Sequence, residues 1–214
     1  MVPIRPADRL ALLGLPEPLA RILRYFALRP NARPHLRAIQ RELDVSSASA
    51  QRDLARLVDV GVLRRVPHGR TVRYAVVESA GLWGPLRSLV AEGSDPVTLL
   101  REALRGVSGV DAAFVFGSTA AGTARADSDV DLLVVGDSVD TRALHRALAE
   151  AGLLMGREVN PVRYSRTELA TRLAGGTRFV REALAGPKAW VAGTASAVAP
   201  IAIAAGIPFA AEPA

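Results

Sequence analysis

The stretch that most constrains the fold runs from Phe114 to Val135 and reads FVFGSTAAGTARADSDVDLLVV. Its two ends are short, continuous apolar runs, which is the pattern of strands buried on both faces of a sheet. Between them, Gly117 and Ser118 open a turn made largely of small residues. Asp129 and Asp131 lie where the second apolar run begins. The stretch therefore predicts two buried strands with a small-residue turn and two carboxylates beside them.

Patterns typical of helices and strands alternate along the second half of the chain. Ser165, followed three residues later by Glu168, forms a capping box that predicts the start of a helix. Residues 187–191, PKAWV, are predicted as an edge strand. The order of elements predicts a small α/β domain with a mixed sheet. The predicted strands are 112–116, 130–135 and 157–164, and the predicted helices are 96–107, 141–152, 165–175 and 175–186.

The residue types in the central motif suit the binding of phosphate and a cation. Gly117 lets backbone N–H groups approach a phosphate closely, and the Ser118 hydroxyl adds a donor. Asp129 and Asp131 are two residues apart on a strand, so both carboxylates project from one face. Two such carboxylates repel each other unless a cation lies between them, and Mg²⁺ prefers oxygen ligands. Glu158, on the next predicted strand, would add the third carboxylate that two-metal phosphoryl chemistry needs.

Together these residues resemble the signature of the nucleotidyltransferase superfamily related to DNA polymerase beta, and in particular its minimal branch. That signature is Gly-Ser, a spacer and Asp-x-Asp, and here ten residues separate Ser118 from Asp129. The resemblance covers roughly residues 96–192. It implies that Asp129, Asp131 and Glu158 are catalytic and bind two Mg²⁺ ions, and that Gly117 and Ser118 bind a nucleoside triphosphate such as ATP. The implied reaction is transfer of a nucleotidyl group to a hydroxyl acceptor.

The turn departs from the pattern of many minimal members, which carry Arg and Glu there. The corresponding positions are Ala121 and Thr123, and Arg125 lies elsewhere in the turn. Three interpretations stay open. The protein is an active transferase, for which the resemblance suggests an antitoxin-like role with a partner such as a HEPN-type RNase. Alternatively, it is a regulator whose domain senses a nucleotide without turnover, or the domain is an interaction scaffold.

Positive charge is concentrated in the first part of the chain. Residues 1–80 hold 14 Arg against 7 acidic residues, whereas residues 81–214 hold 13 basic and 14 acidic residues. This asymmetry favours a polyanion-binding module at the N-terminal side. Apolar spacing predicts helices at 17–28 and 35–43 and a third that starts near Ser46 and stops at Gly61. Two alternating strands around the turn PHGR, residues 67–70, then predict a hairpin.

This order of elements resembles a winged helix-turn-helix of the ArsR-like type over roughly residues 15–80. In that family the third helix enters the major groove of double-stranded DNA and the hairpin, or wing, contacts the backbone. The resemblance also implies a homodimer. A solvated arginine face, or a module that docks on another protein, is the alternative. The DNA-binding residues implied by the resemblance are Ser47, Ser49, Gln51 and Arg52 on the third helix and Arg70 and Arg73 on the wing, with Arg37 and Arg41 closer to phosphates.

The chain is thus predicted to be α+β, with a winged helix-turn-helix domain (1–80), a connecting helix (81–95) and a nucleotidyltransferase-like domain (96–192). An Ala/Gly/Pro-rich tail (193–214) is expected to be poorly ordered. The absence of cysteine excludes disulfides, thiolate metal sites and cysteine nucleophiles. Neither the Pro-interrupted N-terminal stretch nor the tail has the apolar run of a signal or membrane helix, which predicts a cytoplasmic protein without a membrane partner.

Overall fold

The computed structural model describes residues 14–125 and 128–209. The chain divides into two compact units, the first ending at Glu102 and the second beginning at Ala103. The beginning of the predicted domain 1–80 and the last five residues of the predicted tail lie outside the described residues. Within the described ranges, no helix has both the length and the apolar character needed to cross a membrane.

The first unit contains three helices followed by a two-stranded antiparallel hairpin, in the order that the sequence predicts. His35 Nδ1 accepts from the Ala38 N–H at the start of the second helix, and Ser46 Oγ accepts from the Ser49 N–H at the start of the third, which confirms Ser46 as the N-cap. The first helix packs against the third. The elements are α1 (Glu17–Leu28), α2 (Leu36–Leu43), α3 (Ser47–Asp59), β1 (Leu63–His68) and β2 (Thr71–Val76).

The predicted connecting segment belongs to the first unit. It forms helix α4 (Trp83–Gly93), and α5 (Pro96–Leu104) follows it across the boundary between the units. The buried Arg24 on α1 donates from Nε to Ser94 Oγ at 3.1 Å and from Nη1 to Glu17 Oε1 at 3.3 Å. Because a buried guanidinium needs such acceptors, Ser94 fastens the end of α4 to the helices before it.

The second unit is built on a four-stranded mixed sheet, which confirms the α+β class. The strand order is β5–β4–β3–β6, where β4 and β5 are parallel and the other neighbours are antiparallel. β6 is an edge strand, as predicted for PKAWV. The strands are β3 (Ala112–Val115), β4 (Val130–Val135), β5 (Val159–Tyr164) and β6 (Ala189–Gly193), and the helices are α6 (Gly117–Ala120), α7 (Thr141–Met155), α8 (Arg166–Ala174) and α9 (Arg178–Ala185).

Alternation along β4 places its side chains on two faces of the sheet. Leu133 and Val135 belong to the main hydrophobic cluster of this unit, together with residues of α8 and α9. Val130, Leu132 and Val134 are fully buried and point to the opposite face. Asp131 shares its face with Leu133 and Val135, so the second carboxylate lies at the margin of the α8/α9 cluster.

Local signals set the ends of the helices that flank β5. Asp140 Oδ1 accepts from the Ala143 N–H at the start of α7, and Gly156 ends this helix in a left-handed conformation, three residues later than predicted. The capping box between Ser165 and Glu168 is formed at the start of α8, as predicted. The Glu168 carboxylate accepts from the Ser165 N–H, and these hydrogen bonds to Ser165 lower the pKa of Glu168.

The tail differs from the expectation of poor order. After β6 the chain forms a short 3₁₀ turn (Ala195–Ala197) and helix α10 (Ala199–Ala204). Val198, Ala202 and Ile207 are buried in the same cluster as the α8/α9 side of the sheet. Small residues and prolines suggested low complexity, but the apolar side chains at these three positions give the segment a face that packs on the core.

Candidate functional site

The turn after β3 lies directly against the second aspartate. Gly117 has φ +68°, a left-handed conformation that favours glycine. A Cβ atom at this position would lie 3.1 Å from Asp131 Oδ2. The backbone N–H of Phe116 also donates to the Asp131 carbonyl at 3.1 Å. Gly117 is therefore required both by its backbone conformation and by the close approach of the carboxylate.

Gly117 and Ser118 are both exposed, so the turn is accessible to a ligand. Helix α6 begins at Gly117 without a side-chain cap, and the first N–H groups of a helix have no acceptor within it. The Ser118 carbonyl accepts from the N–H groups of Thr123 at 3.0 Å and Ala124 at 3.1 Å, which folds the turn back on itself. This arrangement presents backbone donors next to a carboxylate.

Asp131 lies on β4, and Asp129 lies one residue before this strand. Asp129 is exposed and Asp131 is half-buried. Partial burial, and secondly the negative charge of Asp129, raise the pKa of Asp131 above its ordinary value. The pair thus carries a mutual repulsion that a cation between the carboxylates would relieve.

Asn160 joins the aspartates from the neighbouring strand. The parallel register pairs Asp131 with Asn160, and Asn160 Nδ2 donates to Asp129 Oδ2 at 3.4 Å. Paired residues of neighbouring strands lie on the same face of a sheet. The contact of Asn160 with Asp129 depends on a register that the sequence does not reveal.

Glu158 is not brought together with the aspartates. It is exposed, lies one residue before β5, and lines a groove between α7 and β5 with Leu153 and Pro161. Its backbone carbonyl, not its side chain, bonds to β4 through the Val130 N–H at 2.8 Å. Across residues 14–125 and 128–209, no three His, Cys, Asp or Glu side chains form a group that could hold a metal ion. The assignment of Glu158 as the third ligand stays a prediction.

The donors present fit one divalent cation more readily than two. Asp129 and Asp131 supply two carboxylates, and the side-chain amide of Asn160 can supply a neutral oxygen. Two-metal chemistry uses further acidic ligands, and among the described residues no group of three His, Cys, Asp or Glu side chains could hold a metal ion. Binding of two Mg²⁺ ions stays a prediction.

Arg157 is a residue of the site that the sequence analysis missed. Its Nε donates to the Ser128 carbonyl at 2.5 Å, and its Nη2 donates to Thr119 Oγ1 at 3.0 Å and to the Asp129 carbonyl at 3.3 Å. One guanidinium thus joins the turn after Gly117 to the segment that enters β4. A single Arg at the start of a predicted strand carries no sequence signal for such a role.

The structure also describes the turn positions that depart from the pattern of many minimal members. Ala121 and Thr123 are exposed, and Thr123 Oγ1 lies 3.5 Å from the Ser118 carbonyl. The Arg125 N–H donates to Ser128 Oγ at 3.0 Å. The turn is therefore closed by backbone and hydroxyl contacts at positions where many minimal nucleotidyltransferases have Arg and Glu.

The residues predicted to bind DNA divide into two groups in the first unit. Ser49 Oγ is bonded to Ser46 Oγ at 3.0 Å, and Arg73 Nη1 donates to the Arg33 carbonyl at 3.3 Å, so both side chains are engaged within the unit. Arg52 is exposed, and its Nε lies 3.3 Å from the buried Asp53 Oδ1. The exposed members of the predicted set are Ser47, Gln51, Arg52 and Arg70, and Arg37 and Arg41 on α2 are exposed as well.

Comparison with known proteins identifies one domain family. Residues 97–181 match the family model described as a nucleotidyltransferase domain. No curated protein matches the chain significantly. One similar solved structure is a toxin–antitoxin crystallised with AMP-PNP, which is 17% identical, covers 49% of this chain and 78% of that chain, and has a TM-score of 0.33. The family match covers the turn, both aspartates and Asn160.

Proposed function

We propose that the second unit binds a nucleoside triphosphate with Mg²⁺ and transfers its nucleotidyl group to a hydroxyl acceptor. The observation that carries this proposal is the approach of Asp131 Oδ2 to Gly117, where a Cβ atom would be only 3.1 Å away. Phosphates on the turn and a cation on the carboxylates would then be neighbours. The match of residues 97–181 to a nucleotidyltransferase domain supports the same reaction.

Each residue has a distinct part in the proposed reaction. Asp129 and Asp131 would hold the cation, and Gly117 and Ser118 would bind phosphate oxygens through backbone N–H groups and the hydroxyl. Bound Mg²⁺ supplies charge neutralisation for the triphosphate. The acceptor oxygen forms a bond to the α-phosphorus, the bond to the bridging oxygen breaks, and pyrophosphate leaves. The acceptor proton passes to a site carboxylate or to water.

Incubation of the full chain with labelled ATP, GTP, CTP or UTP, Mg²⁺ and candidate acceptors tests this proposal. We expect label to be transferred by the wild type and lost in Asp129→Asn/Asp131→Asn. The matched control is Asp59→Asn, an exposed carboxylate of the first unit. Equal labelling by the wild type and the double variant would contradict the proposal.

A nucleotide sensor without turnover is the second candidate, and Asn160 favours it. An amide stands opposite Asp131, where a carboxylate would be needed to complete a three-acid site. An amide cannot accept the acceptor proton as a carboxylate can. Calorimetry with Mg²⁺·nucleotide, together with a pyrophosphate assay, separates the two functions. A sensor binds the nucleotide, changes its affinity for DNA and releases no pyrophosphate, whereas a transferase releases pyrophosphate.

For the first unit we propose binding to double-stranded DNA by a winged helix-turn-helix. Support comes from the basic character of the N-terminal part and from the exposure of Gln51, Arg52 and Arg70. Titration of a duplex at several salt concentrations tests this, because each lost phosphate contact reduces the salt slope by about 1. We expect Arg70→Ala to reduce the slope, whereas Arg142→Ala in the second unit leaves it unchanged. An unchanged slope in Arg70→Ala would contradict a wing contact.

The acceptor we propose is a hydroxyl of a partner protein, in an antitoxin-like arrangement. This rests on the resemblance of the Gly-Ser and Asp-x-Asp motif to minimal nucleotidyltransferases. Labelling in the presence of a co-expressed HEPN-type RNase tests it directly. With the label on the α-phosphate, label on the RNase would support the assignment, and label that is found only on nucleic acid or on free nucleotide would contradict it.

A further inference from the structure

Phe179 is an exposed aromatic residue near the start of α9. Its relative exposure is 43%, while Phe114, Phe116 and Trp190 in the neighbouring hydrophobic cluster are buried. Burying a phenylalanine side chain stabilises a fold, so leaving one half exposed forgoes part of that gain. Among the large hydrophobic residues that are exposed in the described chain, Phe179 is the only aromatic.

A short row of contacts links this ring to the candidate site. The antiparallel register that pairs Val115 with Leu132 continues to Phe116 and Asp131, whose backbones bond at 3.1 Å. Cross-strand neighbours in an antiparallel pair share a face, so the Phe116 ring lies on the carboxylate side of the sheet. The Phe116 and Phe179 ring centroids are 5.5 Å apart with an interplanar angle of 76°. Phe179 therefore contacts the ring of Phe116, and Phe116 is the direct neighbour of Asp131.

The edge-to-face contact fixes Phe179 and still leaves part of its ring accessible. Phe116 also immediately precedes Gly117, so the same ring neighbours the phosphate-binding turn that we propose. The adjacent Arg178 is engaged in an ion pair with Glu182, at 2.7 Å between Nε and Oε1. The exposed part of the Phe179 ring is therefore a flat apolar surface near the turn that we propose for phosphate binding.

We propose that Phe179 stacks on the base of the nucleotide whose phosphates lie at Gly117 and Ser118. This rests on the proposed function, and it assigns the base end of the same site. A nucleotide carries a flat aromatic group at a short distance from its phosphates, and stacking on an aromatic side chain tolerates all bases. The site should accordingly discriminate nucleotides from inorganic polyphosphate far better than it discriminates one base from another.

Titration of the full chain with Mg²⁺·ATP and with Mg²⁺·tripolyphosphate tests the assignment. We expect Phe179→Leu to weaken ATP binding roughly tenfold and to leave tripolyphosphate binding unchanged. Phe179→Trp should retain ATP affinity, and ATP should quench the fluorescence of the introduced indole. Leu153→Ala, which changes an exposed apolar residue on α7, is the control and should bind both ligands as the wild type does.

The outcomes separate the assignment from the function on which it rests. If the wild type binds no nucleotide, the proposed function is refuted and the assignment with it. If the wild type binds ATP and Phe179→Leu binds it equally well, only the role of Phe179 is refuted. An equal loss of ATP and tripolyphosphate in Phe179→Leu would also refute stacking, because it would show a general distortion of the site.

Discussion

Arg157 Nη2 lies 3.0 Å from Thr119 Oγ1, and this contact joins the two halves of the candidate site. Thr119 belongs to the turn that follows β3, while the other Arg157 contacts are with the carbonyls of Ser128 and Asp129 at the entrance to β4. Arg157 therefore helps to hold the turn near the aspartates, together with the backbone bond between Phe116 and Asp131. Arg157 is best described as a positioning residue.

Arg157→Met should loosen the turn and weaken Mg²⁺·nucleotide binding. Hydrogen bonds that involve a charged group contribute about 1.5–3 kcal/mol, so we expect the free energy of unfolding to fall by about 1–2 kcal/mol. Hydrogen exchange without nucleotide should accelerate in the Gly117–Ala124 segment. Arg157→Lys should rescue part of the effect, because it restores one charged donor. Arg142→Met is the control, and equal exchange in wild type and Arg157→Met would contradict a positioning role.

Gly117→Ala should damage the site more than an equivalent change elsewhere in the turn. Gly117 and Gly122 have similar left-handed backbones, at φ +68° and +71°, so alanine strains both by about 1 kcal/mol. Only at Gly117 would the new methyl group meet Asp131 Oδ2. We therefore expect both variants to lose similar stability in thermal unfolding, and only Gly117→Ala to lose nucleotide binding. Retained binding in Gly117→Ala would contradict the assigned site.

Asp131→Asn should stabilise the protein without metal and abolish cation binding. The raised pKa of Asp131 means that, between its ordinary and its raised value, the folded state holds a proton that the unfolded chain has lost. Stability therefore falls as pH rises through that interval, and the ionised side chain costs stability at neutral pH. The gain in Asp131→Asn should be below about 1 kcal/mol, since water screens a half-buried group. Denaturant unfolding across acidic to neutral pH measures it, and a loss of stability at neutral pH would contradict this account.

Asn160→Asp should convert the pair of carboxylates into a set of three. The new carboxylate would face both Asp129 and Asp131, so we expect lower stability without metal and tighter binding of Mn²⁺, measured by electron paramagnetic resonance. If the missing acid limits turnover, transfer activity should rise. Asn160→Ala removes the amide without adding charge and serves as the control. Identical Mn²⁺ affinity in the Asp and Ala variants would show that residue 160 does not face the cation.

The secondary structure of the second unit was predictable because its signals are local. Continuous apolar runs gave strands, and Ser165 with Glu168 gave a helix start that the structure forms. The tail was mispredicted because Ala-rich composition obscures a few buried side chains such as Val198 and Ile207. Alternation along one strand also predicts that both aspartates project from one face.

The rest of the site depends on strand register and on contacts between elements that are distant in the chain. Local sequence patterns do not reveal either. Strand order predicts Glu158 beside the aspartates, and this stays a prediction. The register that pairs Asp131 with Asn160 could not be read from the sequence. Arg157 donates to backbone carbonyls, which every residue has, so the sequence carries no signal for these contacts. Phe179 contacts Phe116, which precedes Gly117, from a helix that is distant in sequence.

The pairing of β6 with β3 determines where this domain can be cut. The family match ends at residue 181, before Trp190, which packs edge-on against Phe114 with ring centroids 5.1 Å apart. A fragment trimmed to the matched residues would lose β6 and the helix after it, and would expose β3 as a new, apolar sheet edge that invites self-association. Expression, transplantation or fusion of this domain therefore requires the chain to continue at least through Ile207.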